Sequence, residues 1–500
     1  MDLFRSPVKN FISILLASSL LTGCMVGPDF HPPHPPTPTT YTESPLPKKT
    51  VSTPSVSKGG KAQQFVTGPT IPAQWWYLFH SKELNQLITT GLANSPNLAS
   101  AYAALREAQE NLNVQIGNSL FPAFNALGSA SRQLFSNASF GTTIPPTLFN
   151  LFNANVNISY TLDIFGGARR QVEALMAQVD YQQFELIAAY LTLTSNIVTT
   201  AVTIASLQAQ ITVTQSLLIA EENQLAIIQK QFSAGGVSKE NVLTQAILVA
   251  QTRASLPPLE KSLSQNRHAL SVLVGAYPNG PLPIIDLDAL QLPTHLPVSL
   301  PSNLVRQRPD IRASEALLHA ANAQIGVATA NLLPQLTLTG TYGWEALTPS
   351  TLFGTTTNTW NITAQITQPI FHGGALFAAR RAAIAAHDQA FAQYRQTVLQ
   401  AFQNVADSLR AIELDARTLH DYKAAEIDAR NNLRLTTKQY RLGGVSYLNL
   451  LTAQQQYQQT IINRIQAQAA RYNDTVALFQ ALGGGWWNQP WCVKECLYEK

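Results

Sequence analysis

Reactive groups are few in this chain: three cysteines and nine histidines in 500 residues. Cys24 closes Leu21-Thr22-Gly23-Cys24, behind a basic start (Arg5, Lys9) and a short apolar run over 11–21. That order makes 1–23 a secretory signal, too short for a membrane span. Small residues before a cysteine also match a bacterial lipobox. Cys24 is therefore the candidate lipid attachment residue, bearing acyl chains such as palmitate as the only expected cofactor. Several chains hold a protein on a membrane where one does not. An ordinary signal peptide with an incidental cysteine is the alternative. Met25 stands where an Asp would favour inner-membrane retention, so sorting to the outer membrane is expected. Cys492 and Cys496 (CVKEC) could pair in an oxidising compartment or stay free, with no further zinc ligands nearby. His31 and His34 in HPPHPP could hold a metal weakly, but a solvated tether explains them as well. G-x-S-x-G, H-E-x-x-H and Walker patterns are absent, so the expectation is not an enzyme and no metal site.

Composition narrows the partners. Charged residues are 12% of the chain, about half the usual share, and the net charge of +4 shows no basic cluster suited to nucleic acid. No uninterrupted apolar run of about 18 residues occurs, which argues against a transmembrane helix.

The elements carry more information than the reactive groups. FNANVNISYTLD, over 152–163, is apolar at every second position, with Asn, Ser, Thr and Asp between. Such alternation suits a strand with one face in lipid and one in water, although a soluble sandwich strand reads the same in isolation. The chain also repeats itself. FSAGGVSKENVLTQA from Phe232 matches YRLGGVSYLNLLTAQ from Tyr440, and DIFGGA from Asp163 is echoed by PIFHGGA from Pro369. Each unit runs in one order: a helix (84–118; 311–332), a proline that ends it (Pro122, Pro334), two strands, a Gly pair, then a long helical hairpin. The strand after Pro122 alternates poorly. The long helices, 168–231 and 375–441, would each extend roughly 90–100 Å at 1.5 Å per residue.

The resulting plan is a signal (1–23), a lipidated N-terminus and Pro/Ser/Thr-rich tether (24–70), and a first repeat (71–274) with strands in about 123–163 and a hairpin over 168–274. A Pro-rich linker (275–301) leads to a second repeat (302–487) with strands in about 335–368, a hairpin over 375–482, and a tail (488–500). The fold class is mixed: all-α helical hairpins plus a membrane β-barrel, with an internal two-fold repeat. Four strands per chain cannot close a barrel, since open edges in lipid leave backbone groups unpaired, so several chains must share one. Polar strand connections at 136–147 and 348–358 suit outward loops.

RPDIRASEALLHAANAQIGVA from Arg308, VGPDFHPP after the lipobox, WWYLFHSKELNQLI from Trp75 and ALGGGWW from Ala481 resemble the lipoprotein branch (NodT/OprM type) of the TolC-like outer-membrane factors, over about 12–487. The resemblance implies a homotrimer whose twelve-stranded barrel continues into a periplasmic tunnel of helices. It implies the outer membrane of a Gram-negative bacterium, with most of the mass in the periplasm. The implied function is the exit duct of a tripartite efflux pump, docked to a periplasmic adaptor and an inner-membrane transporter and passing drugs or toxic compounds. A protein-secretion duct and a non-transporting surface lipoprotein are the other readings. The same resemblance places a periplasmic gate at the hairpin turns, Gly235-Gly236 and Gly443-Gly444. Relatives often carry two carboxylates one turn apart in the second hairpin; Asn449 and Thr452 align there, and the first hairpin offers Asn241 and Thr244. The expectation is therefore a gate held by amides, hydroxyls and apolar contacts rather than by an acidic, cation-binding ring. Tyr440 matches an aromatic position near the gate, where packing alone is the other reading. Lys239 and Glu240 could pair with a neighbouring protomer or simply be solvated.

Overall fold

A computed structural model describes residues 25–488, apart from 36, 37, 39, 57, 69, 70, 137–140, 142, 144, 299 and 300. The signal, Cys24, Cys492, Cys496 and part of the 136–147 connection lie outside the described residues. In chain order the helices are α1 (Lys82–Asn94), α2 (Pro96–Leu120), α3 (Gly167–Ser233), α4 (Lys239–Leu273), α5 (Pro301–Gln307), α6 (Pro309–Ala330), α7 (Ala375–Arg441) and α8 (Tyr447–Ala481). The strands are β1 (Gln64–Thr67), β2 (Ala123–Phe135), β3 (Thr147–Leu162), β4 (His295–Val298), β5 (Gln335–Ala346) and β6 (Asn358–Thr367). The stretch read as one helix over 84–118 breaks at Ser95, which is extended (ψ 119°). Pro96 opens the next helix, and a residue before proline is steered away from the α region. The chain forms two compact units, one from 25–33, 104–183 and 313–395, the other from 34–103, 184–312 and 396–488.

The first unit holds a four-stranded sheet in the order β2-β3-β5-β6, every pair antiparallel. The alternation of β3 sets its register: Val156 faces Tyr342 and Tyr160 faces Leu338 across one ladder, and Asn157 faces Thr341. The Thr341 hydroxyl donates to Asn157 Oδ1 at 2.7 Å, a cross-strand polar pair. Weakly alternating β2 is still a strand along its whole length, because β3 supplies a partner from Ala123↔Ser159 to Phe135↔Thr147. Tertiary pairing overrides weak strand preference there. Both edge strands are exposed at every position. At the exit from β3, Asp163 receives the N–H groups of Ala168 and Arg169 (3.0 and 2.9 Å), so a carboxylate caps α3.

The N-terminus and tether read over 24–70 are fastened near their start. The Arg170 side chain, 2% exposed, donates to the Val26 carbonyl (3.2 Å) and to the carboxylates of Asp29 (2.6 Å) and Glu173 (2.7 Å). Asn322 donates to the Pro28 carbonyl at 2.9 Å, and Phe30 stacks on His319 with centroids 4.3 Å apart.

In the second unit, Trp75, Phe79, Tyr472 and Phe479 are fully buried, and Trp75 stacks on Phe479 at 5.4 Å. Beside them lies a feature absent from the sequence plan. β1, from the tether, pairs in parallel with β4, from the Pro-rich linker. Arg471, 1% exposed, donates to the carbonyls of Gly59 (3.0 Å) and Lys61 (3.1 Å) and to Gln63 Oε1 (3.2 Å). Gln63 in turn donates to Thr475 Oγ1 at 3.0 Å. Burial lowers Arg471 to about 10. Burial and a hydrogen bond with Asp474 raise Asp415 to about 7. Among the described residues one helix, α3, is long and apolar enough to cross a membrane, and 44% of its most apolar stretch is buried within the protein.

Candidate functional site

The two hairpin turns use one local device. α3 and α7 are each 67 residues long, and α4 and α8 each 35. After α3, Gly236 N–H donates to Gln231 O (2.8 Å) and Gly235 N–H to Phe232 O (2.9 Å), with Gly235 at φ +77°. After α7, Gly444 donates to Gln439 O (2.8 Å) and Gly443 to Tyr440 O (3.0 Å), with Gly443 at φ +75°. This Schellman pattern satisfies orphan carbonyls and needs a left-handed residue, which glycine supplies without steric cost. Ser238 and Ser446 then cap the return helices, accepting from the N–H groups of Asn241 (3.3 Å) and Asn449 (3.4 Å). The GGVS repeat is therefore a stop, a turn and a start.

The polar residues named from the sequence lie on the first two turns of the return helices. Asn241 and Thr244 are partly exposed; Asn449 and Thr452 are exposed. The Thr244 and Thr452 hydroxyls donate within their own helices, to Glu240 O (2.8 Å) and Leu448 O (3.0 Å). Neither hydroxyl bridges the hairpins inside one chain. Lys239 and Glu240 are exposed, with no ion pair among the described residues. Tyr440 packs against Tyr447, centroids 5.4 Å apart.

Other residues join the two hairpins. Ile228 and Leu248 of the first pack with Tyr447, Leu450 and Leu451 of the second in one buried cluster, flanked by Val237, Val242, Leu433 and Tyr440. Within it the Tyr447 hydroxyl donates to Gln245 Oε1, and Gln245 Nε2 donates to the Glu221 carbonyl at 2.9 Å. The Glu221 side chain is 2% exposed, and its Oε2 has no hydrogen-bond partner among the described residues. Burial pushes its carboxyl above the usual range and pushes the Tyr447 phenol up as well. Sequence reasoning missed Glu221, Gln245 and Tyr447. The available signal was a break in the repeat: Tyr447 follows Ser446 where Lys239 follows Ser238.

Among the described residues, no three His, Cys, Asp or Glu side chains gather as metal ligands. What remains is a pair of helical hairpins locked at their turns, with a sheet of open edges in the other unit. The profile of the family described as outer membrane efflux protein matches residues 87–276 and again 300–484. The chain belongs to that family. Among its relatives, the pyoverdine export outer membrane protein OpmQ of Pseudomonas aeruginosa is 31% identical over 419 residues, covering 83% of this chain and 87% of the relative. The toluene efflux pump outer membrane protein TtgC of Pseudomonas putida is 28% identical over 488 residues, covering 96% of each. The outer-membrane channel OprN has a similar structure, with TM-score 0.82, 26% identity, and coverage of 93% of this chain and all (100%) of that one.

Proposed function

We propose that this efflux-family protein is the outer-membrane exit channel of a tripartite pump and passes small molecules from the periplasm to the exterior. One observation carries the reading: a four-stranded antiparallel sheet, open at both edges, in a chain whose strands lead into helices of 67 residues. A membrane sheet must close, and four strands are too few, so several copies complete one barrel. Three copies, giving twelve strands, form the homotrimer. The repeated order of helix, strands and hairpin gives each protomer two similar staves. The partners are a periplasmic adaptor and an inner-membrane transporter. The family relatives named for pyoverdine export and toluene efflux support cargo of small-molecule size. Lipid on Cys24 adds an anchor at the outer membrane, with most of the mass on the periplasmic side.

Native mass spectrometry of detergent-extracted protein, with single-channel recording, tests the assembly. Three copies and discrete conductance are the expected results; a stable monomeric membrane form would contradict the strand argument. For the anchor, mass spectrometry of the mature N-terminus should find a diacylated or triacylated Cys24. Cleavage elsewhere, or a bare cysteine, removes the lipid from the scheme.

A further inference from the structure

The turn-side end of the second hairpin carries cations and no carboxylate. Between 429 and 463 the charged residues are Arg430, Arg434, Lys438 and Arg441, spaced to share one face of α7. The matching stretch of the first hairpin, 221–255, is balanced: Lys230, Lys239 and Arg253 stand against Glu221, Glu222 and Glu240, with Arg253 paired to Glu222 at 2.6 Å. Farther from the turn, cations of α7 are paired with carboxylates. Glu413 accepts from Arg410 (2.6 Å) and Arg417 (2.7 Å). Glu426 accepts from Lys423 (2.9 Å), Arg430 (2.8 Å) and Arg464 (3.0 Å). Arg434, Lys438 and Arg441 are different: all are exposed, and none has a hydrogen bond or ion pair among the described residues. The turn-side positions of α8, including Asn449, Thr452, Gln455 and Gln459, are uncharged.

A helix dipole accounts for part of this stripe only. Cations favour the last turn of a helix, which covers Lys438 and Arg441. Arg434 stands two turns up, where that field has faded and a like charge four residues away is unfavourable. We propose that Arg434, Lys438 and Arg441 make the turn-side mouth of this channel select anions, so that its preferred cargo is organic anions bearing carboxylate. The inference rests on the channel reading above. In an assembly of three copies the unpaired stripes surround one entrance and raise the local anion concentration there. Guanidinium groups add bidentate recognition of a carboxylate, which a lone ammonium lacks.

Purified full-length protein in planar bilayers under a KCl gradient tests this. At about 0.1 M salt, where the Debye length is ~10 Å, chloride should be favoured over potassium by roughly threefold, and by less at about 1 M. The triple variant Arg434→Gln, Lys438→Gln, Arg441→Gln should bring the ratio to about one, whereas Arg417→Gln should leave it unchanged. Potassium preference in the wild type, or an unchanged ratio in the triple variant, overturns the proposal. An unchanged ratio together with lost adaptor crosslinking assigns the stripe to a protein partner and overturns it equally. Silent bilayers count against the channel reading itself. In that case calorimetric titration with citrate at low salt judges the stripe: binding lost in the triple variant supports it, and equal or absent binding overturns it.

Discussion

Tyr447, Gln245 and Glu221 link the two hairpins through a hydroxyl, an amide and a backbone carbonyl within an apolar cluster. Tyr447→Phe removes the donor and leaves the Gln245 oxygen buried and unpaired. We expect a loss of about 1–3 kcal/mol per protomer in thermal or denaturant stability. Adding Gln245→Leu should cost less than the sum of the single changes, because the unpaired acceptor goes with it. Strict additivity would show that the two side chains are not coupled. Asp415 gives a pH dependence of known sign. Burial and Asp474 raise it from an ordinary 3.8 to about 7. Below 3.8 folded and unfolded chains both hold the proton; between 3.8 and about 7 only the folded chain holds it. Stability therefore falls as pH rises across that window. Asp415→Asn should flatten the decline in melting temperature between pH 4 and pH 7, and an unchanged slope would place the titration elsewhere.

At the scale of elements, the GGVS turns were legible because every part of the device lies within about a dozen residues. Gly235 and Gly443, both at positive φ, predict an asymmetry within each Gly pair. Gly235→Ala forces an L side chain into the left-handed region, costing about 1–2 kcal/mol. Gly236→Ala meets only the Gln231 carbonyl, 3.4 Å from its Cβ, and should cost clearly less. Equal costs in an unfolding titration would refute the backbone argument. The strand β3 was legible for a similar reason, since a two-residue period is local. Its start was not: the strand begins at Thr147, five residues before the alternation becomes regular at Phe152, because β2 pairs with it from its first residue. The break at Ser95 has a local signal as well, Pro96, which opens the second helix.

For the whole molecule, family membership and the open-edged sheet give assembly as the main expectation. Within the chain, Arg170 holds the residues that follow Cys24. Arg170→Met removes the donors to the Val26 carbonyl and Asp29 while keeping much of the side-chain volume. We expect limited proteolysis to cut before Pro33 at least tenfold faster in Arg170→Met, a change worth about 1.4 kcal/mol of local opening, with the mass of the assembly unchanged. No change in cleavage would show that Asn322 and Phe30 suffice to hold the segment.

By itself, the sequence determined the order of helices, strand pairs and hairpins, the Gly-Gly turns between them, and the resemblance later matched by family membership. Those signals are local, or recur in the same order, and so survive without coordinates. Only the tertiary structure decided that Gln63 of the tether meets Thr475, 412 residues away, and that Tyr447 meets Gln245, 202 residues away. Neither pair has a periodicity or a neighbouring motif to announce it. An isolated Gln or Tyr has many possible partners, and the choice among them is made by packing, which brings one donor and one acceptor together and excludes water from both.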